Sequence, residues 1–419
     1  MTATPPQRAF LVYAASYAAA GAIPFVLLPI LTKQLTPEQF GVMTSFLVLA
    51  ALLANVAGLS VHGFVAAKYY KMPQADFGPL VSTSLATVAI VHMAAIGVIA
   101  IAYPYLEPLL GVSMEYAFLA VGAGFLVTLN LTILAYFQFS GRPWRYFKLR
   151  AIQAGLELSL CMALVWLVTA DAGARIWSYL VALIISAIVG SVACAREGLL
   201  VPRWDRASAR GLLRFGLPLL PHVAAGMTIS YADRLLTSSL LGVDGLGIYM
   251  VGMQVGMAMV ALIEPLNKAL VPWLFKQLSM NDENIKRMVV KRTYQLYGVL
   301  LLCGLAIAVV AHLGFDHFIG TRFSMAKSLL PWMIGGYILQ GMYYSVVNYF
   351  YYAERTGVLT MVTGSIAFAG CAISYSLIKF VGLLGAGIAF LLNNLLLFVL
   401  VWFAASKVVR MPWFRWRHA

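Results

Sequence analysis

The sequence is short of charge, above all of negative charge. Only 11% of its 419 residues are charged, and its 15 acidic residues are outnumbered by 29 basic ones. Soluble domains carry about 25% charged residues, so this chain has too few to cover a water-exposed surface. The scarcity argues against a soluble globular protein, and the 62% hydrophobic content indicates a polytopic membrane protein.

Cysteines and catalytic motifs are also scarce. The four cysteines, Cys161, Cys194, Cys303 and Cys371, fall within or at the ends of apolar stretches and form no CxxC pair. This spacing fits neither a disulfide framework nor a thiolate metal site. The chain has no phosphate-binding loop, no zinc-binding helix motif and no serine nucleophile elbow. We therefore expect no cofactor and no enzymatic activity. A membrane glycan polymerase or ligase is the alternative from a different class, and the short outer loops disfavour it.

The dominant feature that is present is a series of long apolar stretches. About 20 helical residues cross a hydrocarbon core about 30 Å thick, and twelve stretches reach that length. The predicted spans are 9–31, 40–63, 78–102, 115–139, 149–169, 175–195, 215–241, 246–272, 290–313, 327–352, 356–379 and 383–406. The sequence thus predicts an all-α membrane protein with twelve transmembrane helices.

The basic residues lie mainly at one end of these spans. With the N-terminus inside, 22 basic residues fall on the cytoplasmic side and five on the outer side, among them Arg175. The positive-inside rule then places both termini in the cytoplasm. The net charge of +14 is explained by this topology and by contact with anionic headgroups, so we expect no nucleic-acid partner. Residues 407–419 form a basic cytoplasmic tail, and its MPWFRWRHA sequence is typical of an interfacial anchor.

The chain repeats itself weakly across its centre. Three residues return 206 positions later: Arg8, Glu38 and Gly41 correspond to Arg214, Asp244 and Gly247. Six spans separate the repeats, so both halves enter the membrane in the same orientation. The pattern predicts two six-helix lobes, 1–200 and 215–406, related by a pseudo-two-fold axis along the membrane normal. Residues 201–214 form the cytoplasmic linker between them.

Ionisable residues inside the spans are the candidate functional groups. Each costs about 3 kcal/mol or more near the bilayer centre, so it needs a partner or a cavity. Glu264 and Lys268 are four residues apart and can neutralise each other on one helix face. Arg234 follows Asp233 in span seven, and Glu157 lies in span five. A carboxyl group in a wet cavity can become a proton carrier; structural ion pairing is the alternative.

A tyrosine-rich stretch, YYSVVNYFYY at 343–352, marks span ten. A face that presents Tyr344 would contact sugar rings or lipid headgroups, since a tyrosine ring has an apolar body and a polar tip. An interfacial aromatic belt explains the same stretch equally well.

Several segments resemble one family. PFVLLPILTKQLTPEQFGVMTSF is similar to the first two spans of the polysaccharide transporter family, the O-antigen and exopolysaccharide flippases of the multidrug/oligosaccharidyl-lipid/polysaccharide exporter superfamily. YADRLLTSSLLGVDGLGIYMVG resembles the seventh-span signature of that family. AYFQFSGRPWRYFKLRAIQAG resembles its link between spans four and five, and VGLLGAGIAFLLNNLLLFVL its last span.

The resemblance implies two six-helix lobes around a central cavity, working by alternating access in the cytoplasmic (inner) membrane. It implies export of an undecaprenyl-pyrophosphate-linked oligosaccharide, whose polar head cannot cross hydrocarbon unaided. Membrane lipids and polysaccharide polymerase or assembly proteins are the implied further partners. On this reading the substrate-binding residues are Arg234, Lys268 and Tyr344, and the ion-coupling residues are Asp233, Glu157 and Glu264. A cation-coupled multidrug exporter of the same superfamily is the nearest alternative, and a scaffold role in polysaccharide assembly also fits.

Overall fold

The computed structural model describes residues 6–201, 203–280, 282–353 and 355–413. Among these residues 89% are helical and there is no strand. The first five residues of the predicted N-terminal lobe and residues 414–419 of the predicted tail lie outside the described residues.

Fourteen α-helices carry the described fold. The first eight are α1 (Pro6–Gln34), α2 (Pro37–Val56), α3 (Val61–Lys68), α4 (Gln74–Leu110), α5 (Met114–Phe139), α6 (Pro143–Leu167), α7 (Ala172–Ala195) and α8 (Arg206–Gly216). The others are α9 (Leu220–Gly256), α10 (Ala258–Ser279), α11 (Glu283–Phe318), α12 (Leu330–Tyr352), α13 (Thr356–Val381) and α14 (Leu383–Val408). Two 3-10 helices, Leu217–Leu219 and Thr321–Leu329, precede α9 and α12.

Eleven described helices are long and apolar enough to cross a membrane. The chain is therefore an all-helical, multi-pass membrane protein. The remaining predicted span, the tenth at 327–352, corresponds to α12, which has 23 residues but is not among the eleven. Its tyrosines, together with Gln340 and Asn348, make it less apolar than its neighbours.

The second predicted span, 40–63, is not continuous. Helix α2 ends at Val56, and α3 begins at Val61 after a buried turn. Leu59 and Ser60 adopt left-handed conformations in this turn, with φ of 49° and 52°. Hydropathy could not reveal the break, because residues 57–60 of the turn include no charged residue and no proline.

The predicted link between spans eight and nine also differs from expectation. The predicted spans leave residues 273–289 outside the membrane, but α10 continues to Ser279 and α11 begins at Glu283. Asp282 caps α11 by accepting hydrogen bonds from the backbone N–H groups of Asn284 and Ile285. The 36 residues of α11 span about 54 Å, so it extends well beyond the hydrocarbon.

The chain divides into two compact units. The N-terminal unit comprises Met1–Tyr231 and Gly242–Gly247, and the C-terminal unit comprises Ala232–Leu241 and Ile248–Ala419. In the N-terminal unit, α6 packs on α7 and α1, and α5 packs on α2, α3, α4 and α7. In the C-terminal unit, α14 packs on α12 and α13, and α11 packs on α10 and α12.

Two glycines of the sequence repeat pack against each other's turns in the N-terminal unit. A Cβ added to Gly41 would lie 1.8 Å from the carbonyl oxygen of Val243. A Cβ added to Gly247 would lie 2.0 Å from the carbonyl oxygen of Pro37. The two contacts are equivalent in the repeat, because Gly247 lies 206 residues after Gly41 and Val243 lies 206 residues after Pro37. The backbones of the two related turns therefore cross in van der Waals contact, which only glycine permits.

The C-terminal unit contains an aromatic cluster, formed by Tyr294, Tyr349, Trp402 and Trp413. The indole of Trp413 is 4% exposed and meets Trp402 and Tyr349 with ring centroids 5.7 and 5.9 Å apart. Tyr294 Oη donates a hydrogen bond to the backbone carbonyl of Trp413 at 2.9 Å. The sequence predicts an interfacial anchor at this tail, but Trp413 is buried in protein because these helices offer it aromatic partners.

Candidate functional site

Five of the six predicted site residues belong to the C-terminal unit. They are Asp233 and Arg234 on α9, Glu264 and Lys268 on α10, and Tyr344 on α12. The sixth, Glu157 on α6, belongs to the N-terminal unit. The residues of the C-terminal unit form two charged groups, on α9 and on α10, which are described first. Glu157 is described after them.

The first charged group lies where α9 doubles back. Helix α9 breaks at Gly242, whose φ of 73° and ψ of 175° are readily available only to glycine. After this break the chain returns, and Tyr249 Oη donates a 2.5 Å hydrogen bond to Asp233 Oδ2. Asp233 Oδ1 accepts a hydrogen bond from the backbone N–H of Arg234 at 2.8 Å. Arg234 Nη2 lies 3.2 Å from Met253 Sδ. The sequence does not indicate that Tyr249 contacts Asp233, because the two residues come together only through the reversal of the chain at Gly242.

The second charged group lies on α10. Lys268 Nζ and Glu264 Oε2 are 3.8 Å apart, as their four-residue spacing predicted, and more than half of each side chain is exposed. Tyr344 lies close enough to Glu264 to interact with its charge. Asn348, one helical turn beyond Tyr344, donates a hydrogen bond to Asn267 Oδ1 at 2.9 Å. These contacts attach the α10 pair to α12.

Two tyrosines on one face of α12 join these groups. Tyr337 precedes Tyr344 by two helical turns. Tyr337 is 6% exposed and interacts electrostatically with Asp233, Arg234 and Tyr344. We call the whole set the polar stripe: Asp233, Arg234, Tyr249, Glu264, Lys268, Tyr337 and Tyr344.

The polar stripe offers cations and carboxylates on α9 and α10, which are long and apolar enough to cross a membrane, and phenols on α9 and α12. A guanidinium forms paired hydrogen bonds to phosphate oxygens, and a phenol ring packs on sugar faces while its hydroxyl hydrogen-bonds. The carboxylates can take up a proton or a small cation. Within the described residues, no group of three or more His, Cys, Asp and Glu side chains is arranged to hold a metal ion.

Glu157 has a partner that the sequence did not indicate. Glu157 Oε1 accepts a 2.5 Å hydrogen bond from Arg175 Nη2, and both side chains are at most 10% exposed. The guanidinium also lies over the ring of Tyr179, 5.8 Å from its centroid. Arg175 was expected in an outer loop, but it lies in the first turn of α7. Hydropathy places a charge at a span end without showing which neighbouring helix supplies its partner.

We expect the Glu157–Arg175 pair to be sensitive to the loss of one member. Glu157→Leu leaves a buried guanidinium without its carboxylate, which costs about 3 kcal/mol in free energy of unfolding. The Glu157→Leu/Arg175→Met double variant should recover most of that loss, because neither charge then remains. Thermal unfolding of the purified proteins measures both effects. An unchanged melting temperature for Glu157→Leu would contradict a buried pair. Ion-driven transport by the stable double variant would remove Glu157 from coupling.

Comparison with known proteins identifies the family. Residues 8–278 match the family model described as "Polysaccharide biosynthesis protein". Two proteins of Haemophilus influenzae are related over most of their length. The "Lsg locus putative protein 1" is 22% identical over 401 residues, which are 92% of this chain and 94% of that protein. An "Uncharacterized membrane protein" is 23% identical over 352 residues, 82% of this chain and 83% of the other.

Solved structures share the fold at low identity. The inward closed form of the lipid II flippase MurJ has a TM-score of 0.73 at 9% identity, covering 95% of this chain and 87% of the flippase. An inward-facing multidrug resistance transporter of the MATE family has a TM-score of 0.67 at 13% identity, covering 94% of both chains. The fold is therefore shared with transporters of the MOP superfamily. With its family model matched over well over half its length, this chain belongs to the polysaccharide biosynthesis protein family.

Proposed function

We propose that this protein moves an undecaprenyl-pyrophosphate-linked oligosaccharide from the inner to the outer leaflet of the cytoplasmic membrane. Its family and its flippase-like fold support a carrier of a lipid-linked glycan. The polar head of such a substrate is costly to bury in hydrocarbon, so the carrier must supply polar partners during the passage.

The observation that carries the proposal is the polar stripe. It combines Arg234 for a pyrophosphate, on a helix long and apolar enough to cross a membrane, with Tyr344 for sugar, on α12. Lys268 supplies a second cation, although it is shared with Glu264. Charge-assisted hydrogen bonds from guanidinium and ammonium groups are the strong contacts available to phosphate.

The proposal includes an architecture and an energy source. Twelve crossings, with α12 as the tenth, would form lobes 1–200 and 215–406 around the linker 201–214, with both termini and the tail 407–419 in the cytoplasm. Alternating access would be driven by a proton or sodium gradient. Asp233 and Glu264 are the proposed carriers in the polar stripe; Glu157 is a weaker candidate because Arg175 already neutralises it.

One observation favours a second candidate, a cation-coupled drug exporter. Intramembrane cations are few, while Asp233 is held by Tyr249 and the stripe is rich in aromatic rings. An acid with aromatic neighbours suits an organic cation. The two functions differ in what Arg234 contributes, because a cationic drug gains nothing from a guanidinium.

The test is the sidedness of the lipid-linked oligosaccharide in cells depleted of this protein. A glycan label that cannot cross the membrane is applied to intact spheroplasts, and lysed spheroplasts report the total pool. We expect the intermediate to accumulate unlabelled in intact spheroplasts and to become labelled after lysis or after wild-type protein is restored. Normal labelling of intact, depleted spheroplasts would reject the flippase and favour the drug exporter.

A further inference from the structure

The segment before α8 is fixed to the N-terminal unit. The backbone N–H of Val201 donates to Ser82 Oγ at 2.8 Å, and that of Asp205 donates to Thr83 Oγ1 at 2.9 Å. Thr83 Oγ1 donates in turn to the carbonyl of Arg203 at 3.2 Å. The predicted cytoplasmic linker therefore begins as a segment tied to the N-terminal end of α4.

Helix α8 starts with a strong cap. The Asp205 carboxylate accepts hydrogen bonds from Ser208 Oγ at 2.5 Å and from the backbone N–H groups of Ala207 and Ser208 at 3.0 and 2.9 Å. The Ser208 hydroxyl, followed by these N–H groups, lowers the pKa of Asp205. The cap is therefore ionised at neutral pH and holds the helix start in place.

The two faces of α8 have opposite character. Ser208, Leu212 and Gly216 are buried, and Gly216 lies so close to Leu59 that an added Cβ would be 2.5 Å from its carbonyl oxygen. Phe215 packs on Phe64 of α3 with ring centroids 5.5 Å apart. This face is committed to the N-terminal unit and fixes which way the opposite face points.

The opposite face is a row of arginines. Arg206, Arg210 and Arg214 are spaced by four residues, lie about 200° around the helix from the buried residues, and are all exposed. Within the described part of the chain, none of the three forms an ion pair. Arg203 and Trp204, just before the helix, are also exposed, with Trp204 at 51%.

The arginine row follows the end of a spanning helix, α7. Glu197, just after α7, forms ion pairs with Arg142 and Arg145 at the start of α6, so α8 follows at the end of the unit where α6 begins. Trp144 at this end is 57% exposed. Exposed tryptophans at the ends of spanning helices mark the headgroup layer.

We propose that the arginine row of α8, Arg206, Arg210 and Arg214, is a binding site for anionic phospholipid headgroups of the surrounding bilayer leaflet. The charges are complementary, and the exposed tryptophan suits the same layer. The spacing fits several phosphates on a surface better than one soluble anion, because the three guanidinium groups extend along about two turns of helix. This site is separate from the polar stripe and does not depend on the transported substrate.

The test compares phospholipid retention by the full chain and by variants. Proteins are reconstituted into nanodiscs of mixed phosphatidylglycerol and phosphatidylcholine, and native mass spectrometry counts the lipids that stay bound. Each arginine near an anionic surface strengthens binding roughly fivefold. We expect the Arg206→Gln/Arg210→Gln/Arg214→Gln variant to lose the preference for phosphatidylglycerol by about tenfold or more. The triple lysine variant should keep most of that preference.

A matched variant separates this site from general basicity. Lys276, Lys291 and Arg292 are exposed basic residues of α10 and α11, and changing all three to Gln removes the same number of charges. The proposal is overturned if this control loses as much phosphatidylglycerol as the α8 variant, or if the α8 variant retains wild-type preference. Equal thermal stabilisation of wild-type protein by free sodium pyrophosphate and by phosphatidylglycerol also overturns it. If the triple variant is not monodisperse, Arg210→Gln alone is measured instead, and its preference for phosphatidylglycerol should fall about fivefold.

Discussion

Replacing Arg234 by alanine should abolish glycan export while the protein still inserts into the membrane. In the proposed mechanism, Arg234 offers the pyrophosphate a paired hydrogen-bonding group in a region with few other cations. Losing one partner of a desolvated charge pair costs about 2–5 kcal/mol, at least about thirtyfold in affinity. The sidedness assay in a depleted strain that expresses Arg234→Ala measures the effect, with the protein quantified in the membrane fraction.

Two further variants define what Arg234 does. Arg234→Lys keeps the charge but loses the planar fork, so we expect partial export. Arg322→Ala removes an exposed arginine of the same unit, in the 3-10 helix Thr321–Leu329 and not a member of the polar stripe, and should leave export unchanged. Full export by well-expressed Arg234→Ala would remove this residue from the site. Because Asp233 keeps its hydrogen bond from Tyr249, we do not expect the variant to unfold.

Replacing Gly41 by alanine should strongly destabilise the N-terminal unit. The new Cβ would lie 1.8 Å from the Val243 carbonyl oxygen, whereas carbon and oxygen normally approach to about 3.3 Å. The two turns would have to separate by roughly 1.5 Å, and overpacking of this kind costs about 3 kcal/mol. Thermal unfolding in detergent should show a clearly lower melting temperature, and Gly247→Ala should behave alike.

Gly97→Ala provides the matched control, because Gly97 is a helical glycine of α4 with nothing within 4 Å of an added Cβ. Alanine is the better helix former by about 1 kcal/mol, so this change should be neutral or slightly stabilising. A Gly41→Ala protein that melts with the wild type would show that the turns are not in close contact. Equal destabilisation by Gly97→Ala would show that the effect is not specific to the crossing.

Hydropathy predicted the helical membrane fold because burying a helix in lipid depends mainly on local composition. It could not predict the turn at Leu59 and Ser60, which packs against Gly216, a residue distant in the sequence. The four-residue spacing of Arg206, Arg210 and Arg214 is typical of a helix and would have indicated α8. The stretch is predicted as a linker instead, because it is short and polar beside the long apolar spans.

The candidate site shows the same division between local and distant information. The Glu264–Lys268 pair followed from helical spacing alone. The Asp233–Tyr249 hydrogen bond and the Glu157–Arg175 pair did not, because each depends on which segments lie side by side. A charge inside a span therefore indicates that a partner exists, and only the tertiary fold identifies it.

The reciprocal contact of Gly41 and Gly247 has the symmetry of a homodimer interface. A half-length ancestor with one such turn would make the same contact between two identical subunits, since a two-fold axis sets residue i against j and j against i. Fusion of two copies would preserve that contact while neighbouring positions diverge, as the pair Glu38 and Asp244 would illustrate. The two glycines cannot be replaced in the same way, because a side chain at either position would clash with the backbone of the opposite turn. On that history, the two glycines would mark the common origin where the rest of the repeat has diverged.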